Sequence, residues 1–399
     1  MPKVTELPPV REKLRGLLLG TAVGDALGLP MEGLNPIQIR NLGWFPNADS
    51  NATTTNYLTA TLRHRLIFGR GMISDDTEHA LLVGLCLLRF PNTVEQFRSC
   101  LAWRLRLWFL ALPPGIGLAT ARATIKLLLG ISPLNSGVYS AGNGPAMRAA
   151  IIGAVCYRDL NLLKKLISTS TCMTHTDNRA QVGALAVALG AAYVMNQSST
   201  TVESASQRNL QLLQQWQTLA PEDTEWQELL SKLAAGLNAE LSVADLVYNL
   251  GFTNGISGYI YQTVPVALYA WLRHYGDFAT TLSNVLALGG DTDTVGAIAG
   301  ALAGVVTGDT GIPKPWIDGI ADWPRSTNVL IQVADALTLK LDATTQHATT
   351  TVRYFYPAVF VRNMLFLMII LFHGLCRLLP LSINPLRERT TISVESNQT

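Results

Sequence analysis

The chain has 399 residues, 48% of them hydrophobic and only 15% charged. That charged share lies below the roughly one quarter usual in globular chains, and it leaves ample apolar material for one large core or two ordinary ones. Thirty Lys and Arg against 28 Asp and Glu give a net charge of +2, with no basic stripe to serve a nucleic-acid partner.

In chain order, residues 1–12 form a Pro-rich charged lead, followed by an apolar, Gly/Ala-rich stretch at 13–29 that reads as a buried helix. It is not a convincing signal peptide, because Asp25 interrupts it at once, and no export is expected. Residues 41–70, with Pro46, Asn47, Asp49 and Asn51, read as a surface loop. Helices are expected at 76–89 and 93–110, the latter stopped by Pro113-Pro114-Gly115, then at 119–129 and 145–156. A Gly/Asn/Ser stretch at 132–144 separates the last two. Further helices are expected at 159–172, 178–195, 225–238, 242–250, 257–274, 277–287 and 294–307. A polar loop at 196–207 leads into a Gln-rich exposed amphipathic helix. No segment alternates apolar and polar residues for long enough to read as a strand, so the fold class is all-α.

Residues 1–345 read as one multi-helix domain and 346–399 as a separate tail. Residues 354–382 are strongly apolar, and 364–376 give 13 residues without a formal charge, flanked by Arg362 and Arg377. A membrane span needs about 20 such residues. Three readings stand: a helix docked on the domain, an in-plane anchor or a short tail anchor, the last two giving membrane contact through 354–382. The polar end from Asn384 reads as disordered. The five cysteines Cys86, Cys100, Cys156, Cys172 and Cys376 show no C-x-x-C spacing. They read as reduced thiols of a cytoplasmic protein.

Two short acidic motifs stand out because acids are otherwise sparse. Ser74-Asp75-Asp76-Thr77-Glu78 and Asp291-Thr292-Asp293-Thr294 each open an apolar helix. Capping explains part of this: Asp75 with Glu78 fits a capping box, and acids suit the positive end of a helix. A cap needs one oxygen, however, and adjacent carboxylates repel unless a cation or proton lies between them. Together the motifs offer four carboxylates and two hydroxyls. This oxygen-only set suits Mg²⁺ or Mn²⁺ rather than zinc, and it could hold two ions about 3.5–4 Å apart. After Asp293, glycines recur at 296, 300, 304 and 308, a face that permits close helix approach and would bury the second acid pair at the domain centre.

The motifs, taken together, resemble the ADP-ribosylglycohydrolase family. The resemblance spans about 13–340. It rests on Gly20-Thr21-Ala22-Val23-Gly24-Asp25-Ala26-Leu27-Gly28 with Glu32, on Ser74-Asp75-Asp76-Thr77, on Ser140-Ala141-Gly142-Asn143-Gly144 with Met147-Arg148, on Thr174-His175 and on 289–296. It implies an all-α fold and a binuclear magnesium centre, sometimes manganese. By motif, Ser74, Asp75, Asp76, Asp291, Asp293 and Thr294 would be the metal ligands. Glu32 would lie near the substrate ribose and act as the candidate proton donor, with the base among Asp75, Asp76, Asp291 and Asp293. Ser140 and the Gly142-Asn143-Gly144 turn would bind the diphosphate, the turn through its backbone N–H groups, and His175 a phosphate oxygen or the ribose. The partner implied is an ADP-ribosylated protein or small molecule.

Three departures accompany the resemblance. Residues 77–150 contain no Asp, which weakens any arginine-selective mechanism needing one there; Met72-Ile73, before the first acidic motif, differ from the common family pattern; and the apolar tail has no counterpart in the family core. Three rivals are an all-α prenyl-diphosphate enzyme, a non-catalytic ADP-ribose-binding protein and a scaffold relative. The first would need a further acid after Asp293, and the last would show lost ligands.

Overall fold

Four glycines on each of two distant segments set how this molecule is built. The computed structural model describes residues 7–45, 62–197, 203–342 and 352–377. Those residues form α1 (Val10–Gly28), α2 (Pro36–Asn41), α3 (Asp75–Arg89), α4 (Val94–Leu110), α5 (Leu118–Leu128), α6 (Ala149–Val155), α7 (Leu160–Cys172), α8 (Asn178–Asn196), α9 (Ala205–Gln217), α10 (Thr224–Asn238), α11 (Val243–Asn249), α12 (Ile260–Arg273), α13 (Phe278–Leu286), α14 (Thr292–Thr307), α15 (Lys314–Asp318), α16 (Thr327–Leu341) and α17 (Pro357–Arg377). Among the described residues there are isolated bridges but no strand, as the absence of period-two patterning implies.

The axis of the fold is the antiparallel pair α1 and α14. Gly16 faces Gly304, Gly20 faces Gly300, Gly24 faces Gly296 and Gly28 faces Thr292. A Cβ built on Gly24 would lie 2.0 Å from the Gly296 carbonyl oxygen, so the backbones touch with no room for a side chain. Both helices are otherwise buried almost throughout, including Leu17, Leu18, Val23, Ile298 and Leu302. Around this axis α14 packs on α8, α12 and α13, while α1 packs on α3 and α16. Arg15 ties α1 to α16 through paired bonds of 2.6 and 2.7 Å to Asp335, and Arg11 adds a second pair to the same carboxylate.

Several helices begin on the oxygen cap that their sequence supplies. Asp159, Asp177, Ser204, Asp223, Ser242 and Asp277 each accept a backbone N–H from the first turn. The expected helix over 145–156 starts only at Ala149, because residues 144–148 turn instead. Three helices lie where none was expected. The short α2 is held by an Asn35–Gln38 capping box, α15 is five residues long, and α16 buries Val329, Leu330, Val333 and Leu337. The loop expected over 41–70 lies partly outside the described residues (46–61). Its later part is no pure surface loop, since Leu62, His64 and Leu66 are buried. Cys86 and Cys156 are buried thiols and Cys100 and Cys172 half-buried ones, all four unpaired in disulfides. The polar end from Asn384 and the side chain of Cys376 lie outside the described residues.

The tail forms one helix, α17, with two unlike faces. The stretch Pro357–Leu375 is long and apolar enough to cross a membrane by length and composition, longer than its uncharged run implied. Yet one face is buried against the domain, with Val359, Arg362, Asn363, Phe366 and His373 between 0 and 5% exposed. Phe366 packs with Leu29, Leu66 and Met72. The opposite face leaves Phe360, Val361, Leu365, Met368, Leu371 and Phe372 exposed.

Candidate active site

The antiparallel register of α1 and α14 brings the C-terminal end of one to the N-terminal end of the other. At that junction stands Asp25, fully buried on α1. Its carboxylate accepts from the Ser74 N–H (2.9 and 3.0 Å), the Thr77 N–H (3.1 Å) and the Thr77 hydroxyl (2.5 Å). Asp25 therefore shapes the turn into α3 rather than facing substrate. Burial pushes its carboxyl up to about 6 even though these hydrogen bonds pull the other way.

The helix start itself differs from the expected capping box. Ser74, not Asp75, is the N-cap, its hydroxyl accepting the Asp76 N–H at 3.2 Å. Glu78 does not reach back to the cap. It turns inward to Arg325 at 2.5 Å and accepts the Trp108 indole N–H at 2.5 Å.

Asp76 joins the two motifs. Its Oδ2 accepts the hydroxyls of Ser74 and Thr294, both at 3.2 Å, although Thr294 lies 218 residues away. Its Oδ1 is buried and has no hydrogen-bond partner. Asp291, the residue before α14, makes no capping bond. Its Oδ2 instead accepts the Asn143 side-chain amide at 2.7 Å, and Asn143 also donates to the Thr263 hydroxyl at 3.0 Å. Gly290 is held by the segment that follows α1: its N–H donates to Leu34 O and its carbonyl accepts from Gly33 N–H. Gly289 accepts from Ile256 N–H, and φ values of +72° and +86° at Gly289 and Gly290 explain why glycine stands there. This pairing brings Glu32, which is exposed, to the rim of the acidic cluster, within electrostatic reach of Asp75 and Asp293.

The electrostatics follow from crowding. Burial first, and neighbouring carboxylates second, raise the carboxyl groups of Asp75, Asp76 and Asp293 well above the ordinary carboxylate range. Two helix N-termini, those of α3 and α14, point their positive ends at the same spot and offset part of the repulsion. Among the described residues, no three acid, His or Cys side chains close into a ready cation cage. The fit to a hard cation is nonetheless good in kind: an orphaned buried carboxylate oxygen on Asp76, carboxyls raised by burial and by one another's charge, and hydroxyls converging from both motifs.

The glycine turn is arranged differently from the expected cradle of three N–H groups. Gly142 N–H donates to the Ser140 hydroxyl at 3.2 Å, and Asn143 N–H to Gly258 O at 3.0 Å. Two of the three donors are thus already used in shaping the turn, so only Gly144 N–H is left to meet a ligand. His175 is buried, and its Nε2 faces Gly142 so closely that a Cβ there would meet it at 3.0 Å. Behind it, the buried Arg148 donates to the Thr174 hydroxyl at 2.7 Å, and that hydroxyl lies 2.9 Å from His175 Nδ1. Arg has no acceptor, and the hydroxyl proton of Thr174 has two acceptors in reach, Nδ1 at 2.9 Å and Thr171 O at 3.5 Å; the shorter contact favours Nδ1, which leaves the ring proton on Nε2. Burial and the Arg148 charge lower His175 to about 3, so the ring is a neutral donor aimed at the turn.

Thr263, Gly258 and Arg148's relay to His175 were not found from sequence. None lies near the acidic motifs in the chain, although Arg148 sits in the Met147-Arg148 motif. The Asn143 link to Asp291 spans 148 residues and has no local signal.

An all-α domain that gathers acids from two helix starts beside a glycine turn defines a class of helical proteins with a candidate cation site, and comparison with known proteins narrows it. The profile of the ADP-ribosylglycohydrolase family matches residues 6–347. An uncharacterised protein of Archaeoglobus fulgidus is 32% identical over 321 residues, 78% of this chain and 93% of that protein. ADP-ribosylhydrolase ARH3 of Gallus gallus is 27% identical over 348 residues, covering 77% and 88%. A solved structure titled ADP-ribosylglycohydrolase-related protein complex superposes with a TM-score of 0.54 at 26% identity, covering 82% of this chain and 97% of that one. The chain belongs to the ADP-ribosylglycohydrolase family, and this membership supports an ADP-ribosyl hydrolase over a prenyl-diphosphate enzyme.

A pH-dependent stability effect follows from the raised carboxyls. A carboxyl whose pKa is higher folded than unfolded binds its proton more tightly in the native state. Native stability therefore falls as pH rises from the ordinary carboxylate value, near 4, toward the raised one. Mg²⁺ would replace those protons. In thermal melts from pH 5 to 8, the gap between Mg²⁺ and EDTA samples is expected to widen with pH. Asp335 and Asp177, lowered by their arginine partners, titrate the opposite way but equally in both samples. A gap that stays flat or narrows would count against cation binding at these acids.

Proposed function

We propose that this protein hydrolyses the glycosidic bond between ADP-ribose and a modified acceptor, using two Mg²⁺ ions, with Mn²⁺ as the alternative. The observation that carries this is the Asp76 carboxylate, which receives hydroxyls from both acidic motifs and leaves one buried oxygen unsatisfied. Ser74, Asp75, Asp76, Asp291, Asp293 and Thr294 would hold the ions. When bound, they neutralise the acids and supply Lewis-acid and orienting chemistry for ribose hydroxyls and water.

The chain's own groups do the rest. A carboxylate among Asp75, Asp76, Asp291 and Asp293 takes the proton of the attacking water as the anomeric carbon gains oxocarbenium character. Glu32, at the exposed rim, returns a proton to the departing acceptor atom. Gly144 N–H and His175 Nε2–H donate to diphosphate or ribose oxygens, and Ser140 and Asn143 fix the turn that carries them. Asn143 also ties that turn to Asp291, so substrate placement and the acidic cluster share one scaffold.

Purified protein incubated with ADP-ribosylated arginine and serine peptides, in Mg²⁺, in Mn²⁺ and in EDTA, tests this with free ADP-ribose scored by mass spectrometry. Metal-dependent release supports the reading and names the linkage. Tight ADP-ribose binding without release from any acceptor would leave only a binding role.

The relay behind His175 gives a smaller prediction. Thr174→Val removes the hydroxyl that fixes the ring tautomer while keeping its volume. ADP-ribose affinity by calorimetry is expected to weaken roughly threefold to tenfold, about one lost hydrogen bond. An unchanged affinity would mean that His175 does not contact the nucleotide.

A further inference from the structure

Helix α17 lies beyond the residues that the family profile matches, yet it reaches the back of the acidic cluster. Its buried face is polar at three positions, and each serves the domain. Asn363 donates to Ala111 O at 2.8 Å, His373 Nε2 meets Leu66 O, and Arg362 donates to Ile73 O. The Arg362 contact is the informative one. Its guanidinium also pairs with Asp322, at 2.5 and 3.2 Å, and lies 3.5 Å from Glu78. Asp322 in turn accepts the Ile73 N–H at 3.1 Å. Both backbone polar groups of Ile73 are therefore held by one buried ion pair, Arg362 with Asp322.

Ile73 is the residue before Ser74, where the first acidic motif begins. Asp25 holds that motif from the front through Ser74 and Thr77, and the Arg362–Asp322 pair holds it from behind. The charges also balance as a set. Glu78 and Asp322 face Arg325 and Arg362, all four of them nearly inaccessible. Removing Arg362 would free the Ile73 carbonyl and leave a buried carboxylate without its cation directly behind α3.

We infer that the C-terminal helix is part of the site: Arg362 is a positioning residue that sets the backbone from which Ser74, Asp75 and Asp76 reach the cation. This rests on the metal reading above. Residues that orient ligands from behind typically change metal affinity by about 10- to 100-fold when replaced.

The test uses the full chain and Mn²⁺ alone, with free Mn²⁺ followed by electron paramagnetic resonance. Arg362→Gln is expected to bind Mn²⁺ at least tenfold more weakly than the wild type. Arg362→Lys, which keeps the charge but not the forked geometry, should fall between the two. Leu212→Ala in α9, a core lesion far from the acids, should lower the melting temperature and leave Mn²⁺ affinity within twofold. A folded Arg362→Gln protein with wild-type Mn²⁺ affinity overturns the inference. Should that variant not fold, unchanged affinity in Arg362→Lys overturns it instead. Absence of Mn²⁺ binding by the wild type would remove the metal reading itself, and this inference with it.

Discussion

Asp76→Asn is expected to cut turnover by a hundredfold or more while raising the melting temperature in EDTA. The two effects have opposite signs because the carboxylate is costly without a cation and needed with one. In the metal-free protein Asp76 is buried beside Asp75, Asp25 and Asp291, which repel its charge. An amide of the same shape keeps an oxygen to accept the Ser74 and Thr294 hydroxyls, so those 3.2 Å contacts survive. With a cation, the amide supplies neither charge nor the second oxygen. The Mg²⁺-induced rise in melting temperature should therefore vanish together with ADP-ribose release. Asp293→Asn should behave alike, since it is raised by the same crowding. Glu78→Gln offers the contrast: it breaks a buried pair with Arg325 and should lower the melting temperature in EDTA and Mg²⁺ equally. Full activity in either Asp variant, with magnesium present, would end the two-ion scheme.

Gly24→Ala should be among the most damaging single methyls in the protein. The added Cβ would stand 2.0 Å from Gly296 O and 2.4 Å from its carbonyl carbon, against backbone that cannot rotate away. Helices α1 and α14 must part by about an ångström, and the same register places Gly28 against Thr292 one turn nearer the acids. Overpacking of this kind costs about 1–3 kcal/mol or more, several degrees in melting temperature for a chain of this size. The Mg²⁺ increment should shrink as well, because Asp25 and Asp291–Asp293 ride on the two displaced helices. Gly117→Ala is the control, with open space around its Cβ and an ordinary backbone angle. Its melting temperature should not move. If both variants melt alike, the glycine contact is not what fixes the axis.

The acidic motifs were legible because each is local: acids and hydroxyls at a helix start are visible in five residues. The glycine spacing was legible too, but only as a face seeking a partner. That the partner is α1 follows from matching glycines at 16, 20, 24 and 28, a correspondence across the length of the chain. Glu78 shows where local reading fails. Its spacing from Asp75 fits a cap, yet it pairs with Arg325 and Arg362, some 250 and 280 residues on, which no window around α3 contains. The glycine turn was found, but its donors were overcounted, because Ser140 and Gly258 use two of them. Helix α16 was missed despite a helical period at Val329, Leu330, Val333, Ala334 and Leu337, its threonines and valines weakening the pattern.

The pairing of α1 with α14 also dictates an order of assembly. During synthesis, α1 leaves the ribosome well ahead of α14, and its glycine face has no mate until residue 307 has emerged. At translation rates of about 5–20 residues per second, that is a wait of roughly 15 to 60 seconds. Through that interval a helix of leucine, valine and alanine must either stay unfolded or lean on α3 and α6. The acidic cluster can then be completed only after α14 has emerged, and Arg362 follows later still.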